Sequence, residues 1–311
     1  YLTAGTNRYV IDLQKNSFLS TPTYHDSSLY ISGGFGSRAF FAFNAFTGKL
    51  RWGVDLSDDG PSSAVFSDSA ILFNTESCTV FALNPKTGEQ LWAKWIGDPL
   101  MSSPVTDGKN LYTAYPARGL YKGAHQPDTV HKFKPSHAFA AFDANTGEVK
   151  WQTWLNGDVM TTPVLHGNEI YLSTFSGSVY RLNAKTGKIL AAQHINATSL
   201  PTVYNDKIII TKRVDNGSVP NEAFVLLNRY SLQEEKVFAE QLAPYLDYKL
   251  QKRGRLSQKS AQLDAANGFA AMPLQSGYEK ARDIIGLANV SSLQSYLGST
   301  AVVKDHYMFS A

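Results

Sequence analysis

Asn84-Pro-Lys-Thr87-Gly88-Glu-Gln-Leu-Trp92 holds one of four copies of a short phrase, N/D-x-x-T-G, that punctuates this chain. The others are Asn44-Ala-Phe-Thr47-Gly48, Asp143-Ala-Asn-Thr146-Gly147 and Asn183-Ala-Lys-Thr186-Gly187. In three copies a tryptophan stands four residues after the glycine: Trp52, Trp92 and Trp151. The copies begin 40, 59 and 40 residues apart, so one unit recurs and one copy carries an insertion. A period of this length, built from short strands, predicts an all-β fold, a β-propeller of four-stranded blades.

A second phrase precedes each copy. It reads Ser20-Thr-Pro22, Ser62-Ser-Ala64, Ser102-Ser-Pro104, Thr161-Thr-Pro163 and Ser199-Leu-Pro201, each followed by a polar turn and an apolar run such as Asn168-Glu-Ile-Tyr-Leu172. Phrase and run read as strands one and two of a blade. Alternating segments such as Val80-Phe-Ala-Leu83 supply strand three, and the Trp segment supplies strand four. Gly in the T-G turn gives a positive φ at no steric cost, while Asn or Asp bonds the turn's own backbone. Thr47, Gly48, Thr87, Gly88, Thr146, Gly147, Thr186 and Gly187 are therefore read as structural.

The combined pattern, S/T-x-P-V, L-Y, then A-L-N/D-x-x-T-G-x-x-x-W, resembles the quinoprotein-type (PQQ-like) β-propeller repeat over residues 9–240 and again over 299–311. The resemblance implies that Trp52, Trp92 and Trp151 pack between adjacent blades. The fourth copy departs from it with Ala191 in the Trp position, and the fifth keeps Leu226-Leu-Asn228-Arg-Tyr-Ser without Thr-Gly. Blades four and five are expected to be less regular.

The whole of residues 1–311 reads as one domain, because a radial array of repeats counts as one. Tyr9-Val-Ile-Asp-Leu13 aligns with an outermost strand, and Ser299–Val303 with His306–Ser310 aligns with the first two strands of a new blade. Six blades are countable, the last incomplete; seven or eight are expected for an intact molecule that continues past Ala311. The register also assigns each irregular stretch to a face. The insertion 114–136 and the stretch 213–221 lie between strands two and three. The long break 241–298 lies between a fourth strand and a first. All three therefore fall on one side, the expected binding face, since loops on a rigid scaffold carry function. Helix formers over 233–266, with apolar Phe238, Leu242, Leu246 and Leu250, predict a helix or two there; Pro244 interrupts the pattern, so the first helix is expected to begin near it.

On that face Asp59, Asp98 and Asp158 recur five or six residues ahead of the Pro or Ala that opens an innermost strand, which would gather them at the channel mouth. Converging carboxylates bind a cation or a basic side chain; the plainer alternative is that each bonds its own turn. Glu76 and Cys78 share a turn nearby, as a metal or thiol site or, more simply, a buried structural thiol, since no histidine is close in sequence. The insertions are basic, with Arg118, Lys122 and His131 in the first and Lys252, Arg253 and Arg255 in the second. They face an anionic partner, the Asp ring or solvent. No metal can be assigned.

Composition narrows the function classes. With 43% hydrophobic and 18% charged residues the chain is globular. A net charge of +3 is too mild for a nucleic-acid footprint, and no apolar run is long enough to span a bilayer. Three sequons, at Asn196, Asn216 and Asn289, are close to chance. The family includes dehydrogenases that hold PQQ with calcium, typically against a Trp and a disulfide of adjacent cysteines; Cys78 alone cannot form that disulfide. The resemblance to outer-membrane assembly lipoproteins implies instead a non-enzymatic, exported scaffold without cofactor. Such a scaffold binds a protein or surface polymer through the 114–136 and 241–298 face. It is periplasmic or extracellular, with its export signal outside this chain. The alternative is a PQQ- and calcium-dependent alcohol or sugar dehydrogenase.

Overall fold

A computed structural model describes residues 2–4, 7–9, 20–33, 36–75, 79–96, 103–116, 137–159, 162–216, 219–238, 301–304 and 307–310. These residues are strand and turn throughout. Strands β1 (Leu2–Ala4) and β2 (Asn7–Tyr9) form a hairpin with Leu2 opposite Tyr9. Tyr9 pairs within this hairpin; the rest of the outermost strand expected over Tyr9–Leu13 lies outside the described residues.

Five four-stranded antiparallel sheets follow. The first holds β3 (Thr23–His25), β4 (Ser28–Ser32), β5 (Ala39–Asn44) and β6 (Leu50–Asp55). The second holds β7 (Val65–Phe66), β8 (Ile71–Asn74), β9 (Thr79–Leu83) and β10 (Gln90–Trp95). The third holds β11 (Val105–Thr106), β12 (Asn110–Pro116), β13 (His137–Asp143) and β14 (Val149–Leu155). The fourth holds β15 (Val164–His166), β16 (Glu169–Ser173), β17 (Ser178–Asn183) and β18 (Ile189–His194). The fifth holds β19 (Thr202–Tyr204), β20 (Lys207–Asn216), β21 (Val219–Asn228) and β22 (Glu234–Val237). A final antiparallel pair, β23 (Ala301–Lys304) and β24 (Tyr307–Ser310), matches the predicted first and second strands of another blade. The sheets are blades of a β-propeller, with strands in sequence order from first to fourth.

Burial follows strand position. The second and third strands of the second blade are buried almost throughout, while β10 and β18 on the edge alternate between exposed and half-buried. Runs buried on both faces read as continuous apolar stretches, and half-solvated edges read as alternation. The chain divides into two compact units, Tyr1–Ile170 with Leu182–Ile189, and Tyr171–Arg181 with Leu190–Ala311. In the first, the innermost strands β7, β11 and β15 are successive neighbours, and Phe40, Phe73, Phe81 and Trp52 form a shared aromatic core. In the second, β19 neighbours β23.

Each recurring phrase has a physical task. Ser20 Oγ accepts the N–H of Ser32 at 3.1 Å, Ser62 Oγ that of Asn74 at 3.3 Å, and Ser199 Oγ that of Thr211 at 3.0 Å. The serine thus extends the ladder between first and second strands beyond the strand itself. In the T-G turns, Asn44, Asn84, Asp143 and Asn183 each accept two backbone N–H groups on Oδ1, and the glycine N–H returns to the carbonyl of the same residue.

Trp52 Nε1 then donates to Pro85 O of the next blade's turn at 3.0 Å, Trp92 Nε1 to Ala144 O at 3.1 Å, and Trp151 Nε1 to Ala184 O at 2.9 Å. Each indole occupies the space beside the glycine of that turn. A Cβ on Gly88 or Gly147 would stand 2.6 or 2.8 Å from Cε3 of Trp52 or Trp92, one on Gly187 would clash with Trp151, and all three glycines have φ between 70 and 78°. A β-bulge directly before the Trp position in blades one, two and three re-aims the strand toward this contact.

Blade five keeps the turn with other residues. Leu232, buried, occupies the glycine position at φ 60°, its N–H bonds Asn228 O at 2.8 Å, and Asn228 Oδ1 takes the N–H groups of Tyr230 and Ser231. The expected irregularity is therefore one of sequence, not of backbone. Within the stretch 213–221, residues 213–216 and 219–221 are ladder, with β20 and β21 in register to Asn216 opposite Val219. Glu234–Val237, at the start of the stretch rich in helix formers, is strand, because pairing with β21 outweighs the helix propensity of Glu and Lys. Phe238 packs on Ile209 and Phe224. The rest of the predicted helix, the 241–298 insertion and residues 117–136 lie outside the described residues.

Candidate binding face

Antiparallel order puts the connection from strand two to three, and that from strand four to the next blade, at the same end of a sheet. In blade one the two connections bond to each other. Gly60 N donates to Ser37 O at 2.8 Å, Leu56 N to Arg38 O at 2.8 Å, and Arg38 Nε to Leu56 O at 2.6 Å. Arg38 also stands 3.3 Å from Asp55. Ser32 Oγ crosses to Pro61 O at 2.6 Å, and in the second unit Ser173 Oγ crosses to Ser199 O at 2.7 Å, so the start of each following blade is pinned.

Asp59 sits in this loop with an exposed side chain. Its neighbour Asp58 holds the structure: one carboxylate oxygen accepts Asp59 N at 2.9 Å and the other accepts the Thr75 hydroxyl at 2.6 Å. Thr75, buried, in turn accepts the N–H of Thr79 at 3.1 Å. Asp58 escaped the sequence reading because no partner copy repeats it; the signal was the match of Thr75-x-x-x-Thr79 with Thr174-x-x-x-Ser178, which close the same kind of turn. Asp98, Glu76 and Cys78 lie outside the described residues.

Asp158 lies between β14 and β15 in a different setting. Its side chain is 24% exposed, its Oδ1 is buried without a hydrogen-bond partner, and His137 Nε2 stands 4.0 Å from that oxygen. Burial pushes its carboxyl up to about 6, against a downward pull from the Val159 N–H. Asp107, in a short turn at the other end of blade three, makes the contrast. Although burial acts to raise it, bonds from Asn110, Lys109 N and Tyr112 OH hold its carboxyl below the usual range. The turn gives both Asp107 oxygens donors, whereas among the described residues nothing hydrogen-bonds Oδ1 of Asp158. Among the described residues no group of three or more His, Cys, Asp or Glu side chains is placed to hold a metal, and no helix is long and apolar enough to cross a membrane.

Four-stranded blades docked by Trp on a T-G turn define a PQQ-like β-propeller. Residues 6–122 and 128–213 match the family described as outer membrane protein assembly factor BamB, and the chain belongs to that family. It is similar to the tetrathionate hydrolase of Acidithiobacillus ferrooxidans, 25% identical over 170 residues, 52% of this chain and 33% of that protein. It is also similar to the outer membrane protein assembly factor BamB of Shewanella oneidensis, 24% identical over 175 residues, 53% of this chain and 40% of that protein. The crystal structure of BamB from Moraxella catarrhalis superposes with a TM-score of 0.52 at 22% identity, over 68% of this chain and 57% of that one. The chain thus spans less than half the length of these curated relatives.

Proposed function

We propose that this chain is a non-enzymatic scaffold of the cell envelope or extracellular space, periplasmic in the first instance. In this reading it binds a protein or a surface polymer through the blade ends that carry the 114–136 and 241–298 insertions. One observation carries the reading: the repeat residues are consumed by the scaffold. Trp52, Trp92 and Trp151 and the turns they dock on bond one another, which leaves the elaborated connections as the part free to vary with a partner. Membership of a family named for outer membrane protein assembly supports it. A variant lacking 241–298, used beside the full chain as bait against envelope extract, should lose the captured species while melting cooperatively; capture that survives the deletion overturns the assignment of the face.

A catalytic reading rests on the relative named tetrathionate hydrolase and on the quinoprotein character of the repeat. It takes the form of a PQQ- and calcium-dependent alcohol or sugar dehydrogenase. Incubation with PQQ and Ca²⁺ should give no quinone absorbance, dye reduction or thermal shift, and tetrathionate should persist. Stoichiometric binding with turnover would establish the enzyme and end the scaffold reading.

A further inference from the structure

His137 is the first residue of β13, and Asp158 follows the end of β14 by three residues. Because β13 and β14 pair with His137 opposite Leu155, the two side chains arrive at the same end of blade three. They come within 4.0 Å, close enough for charges to interact and too far for a hydrogen bond. Both are largely buried, at 19% and 24% exposed. Among the described residues no other ion pair reaches Asp158; within its own segment the polar contact is the Val159 N–H. A buried carboxylate oxygen left without a donor is costly, and a proton relieves that cost.

We propose that Asp158, set against His137, is a proton-uptake group that removes a negative charge from the loop end of blade three in weakly acid solution. The inference does not depend on the scaffold reading, since it needs no bound partner. Burial raises Asp158 to about 6, and the His137 ring 4.0 Å away senses the change in charge. Above that interval Asp158 is a carboxylate and carries one negative charge; below it the carboxyl is neutral. The face therefore holds cationic groups better at neutral pH than in acid.

The sign for stability follows from linkage. The native state holds the Asp158 proton more tightly than the unfolded chain, so stability is lost as pH rises from the ordinary carboxylate range through about 6, and no further loss follows above it. Asp158→Asn should raise the folded-to-unfolded ratio at pH 7.5 by up to roughly a hundredfold, and the two proteins should converge toward pH 4.5. NMR titration of the full chain is the direct test. The Asp158 carboxyl carbon should titrate near 6, Asp158→Asn should lower the His137 ring midpoint, and His137→Gln should raise the Asp158 midpoint. EDTA should leave both midpoints unchanged. A carboxyl midpoint below 4.5, a His137 midpoint indifferent to Asp158→Asn, or midpoints that move with added Ca²⁺ or Zn²⁺ would each overturn this role for Asp158. Where Asp158→Asn fails to fold, the His137→Gln titration decides.

Discussion

Gly147 shows how a single hydrogen atom sets the contact between two blades. Its φ of 70° would strain any L side chain, and the Trp92 ring fills the space a Cβ would take. Gly147→Ala should cost about 2–4 kcal/mol, from the left-handed backbone and from overpacking together, read as a lower midpoint in urea. Trp92→Ala in the same chain should recover part of the loss caused by Gly147→Ala, because it removes the ring that clashes. Ala191 stands in the Trp position of blade four by sequence register, and Leu232 takes the glycine position of the blade-five turn. We predict that the two departures compensate, a small residue on one blade and a large one on the next conserving the packed volume. Leu232→Gly alone should destabilise by about 2 kcal/mol or more. Combined with Ala191→Trp, it should lose less than the two single changes added, by about 1 kcal/mol. Strict additivity in a double-mutant cycle would refute the pairing.

At the scale of the element, the serine of the S-x-P phrase lengthens a first strand that is only two or three residues long. Ser199 Oγ accepts Thr211 N–H in a buried setting, beside the Thr198 and Thr211 hydroxyls that pair at 2.9 Å. Ser199→Ala should cost about 1–3 kcal/mol by leaving that N–H without its acceptor, with amide exchange at Thr211 accelerating before the rest of β20. Strand β22 teaches the opposite lesson about local propensity. Glu234, Glu235 and Lys236 favour helix, but β21 offers a ladder, and Lys212 at 2.6 Å from Glu234 and Lys207 at 2.8 Å from Glu235 hold the acidic edge in place. Helix propensity amounts to a few tenths of a kcal/mol per residue, too little to resist a strand already half paired.

At the scale of the molecule, the period of 40 residues, the turn chemistry and the Trp spacing made the blades legible. They are local: turn, bulge and alternation are each written within a few residues, and a repeat states them several times over. Alternation marks the interiors of β5, β9, β13 and β17, as Val80–Leu83 does within β9, while the ends, such as Thr79, are set by pairing with the neighbouring strand. The site was less legible. The sequence offered Asp59 and Asp158 as equivalents, whereas one is exposed beside a structural Asp58 and the other is buried against His137. No periodicity distinguishes them, since solvation and the neighbour across β13 and β14 are properties of pairing between residues 21 positions apart. The sequence by itself determined a propeller of repeated blades, because each blade's instructions are short-range. Tertiary structure alone decided which carboxylate is desolvated, which Trp carbonyl partner is reached and how Leu232 replaces a glycine, because burial and charge depend on what distant strands bring alongside.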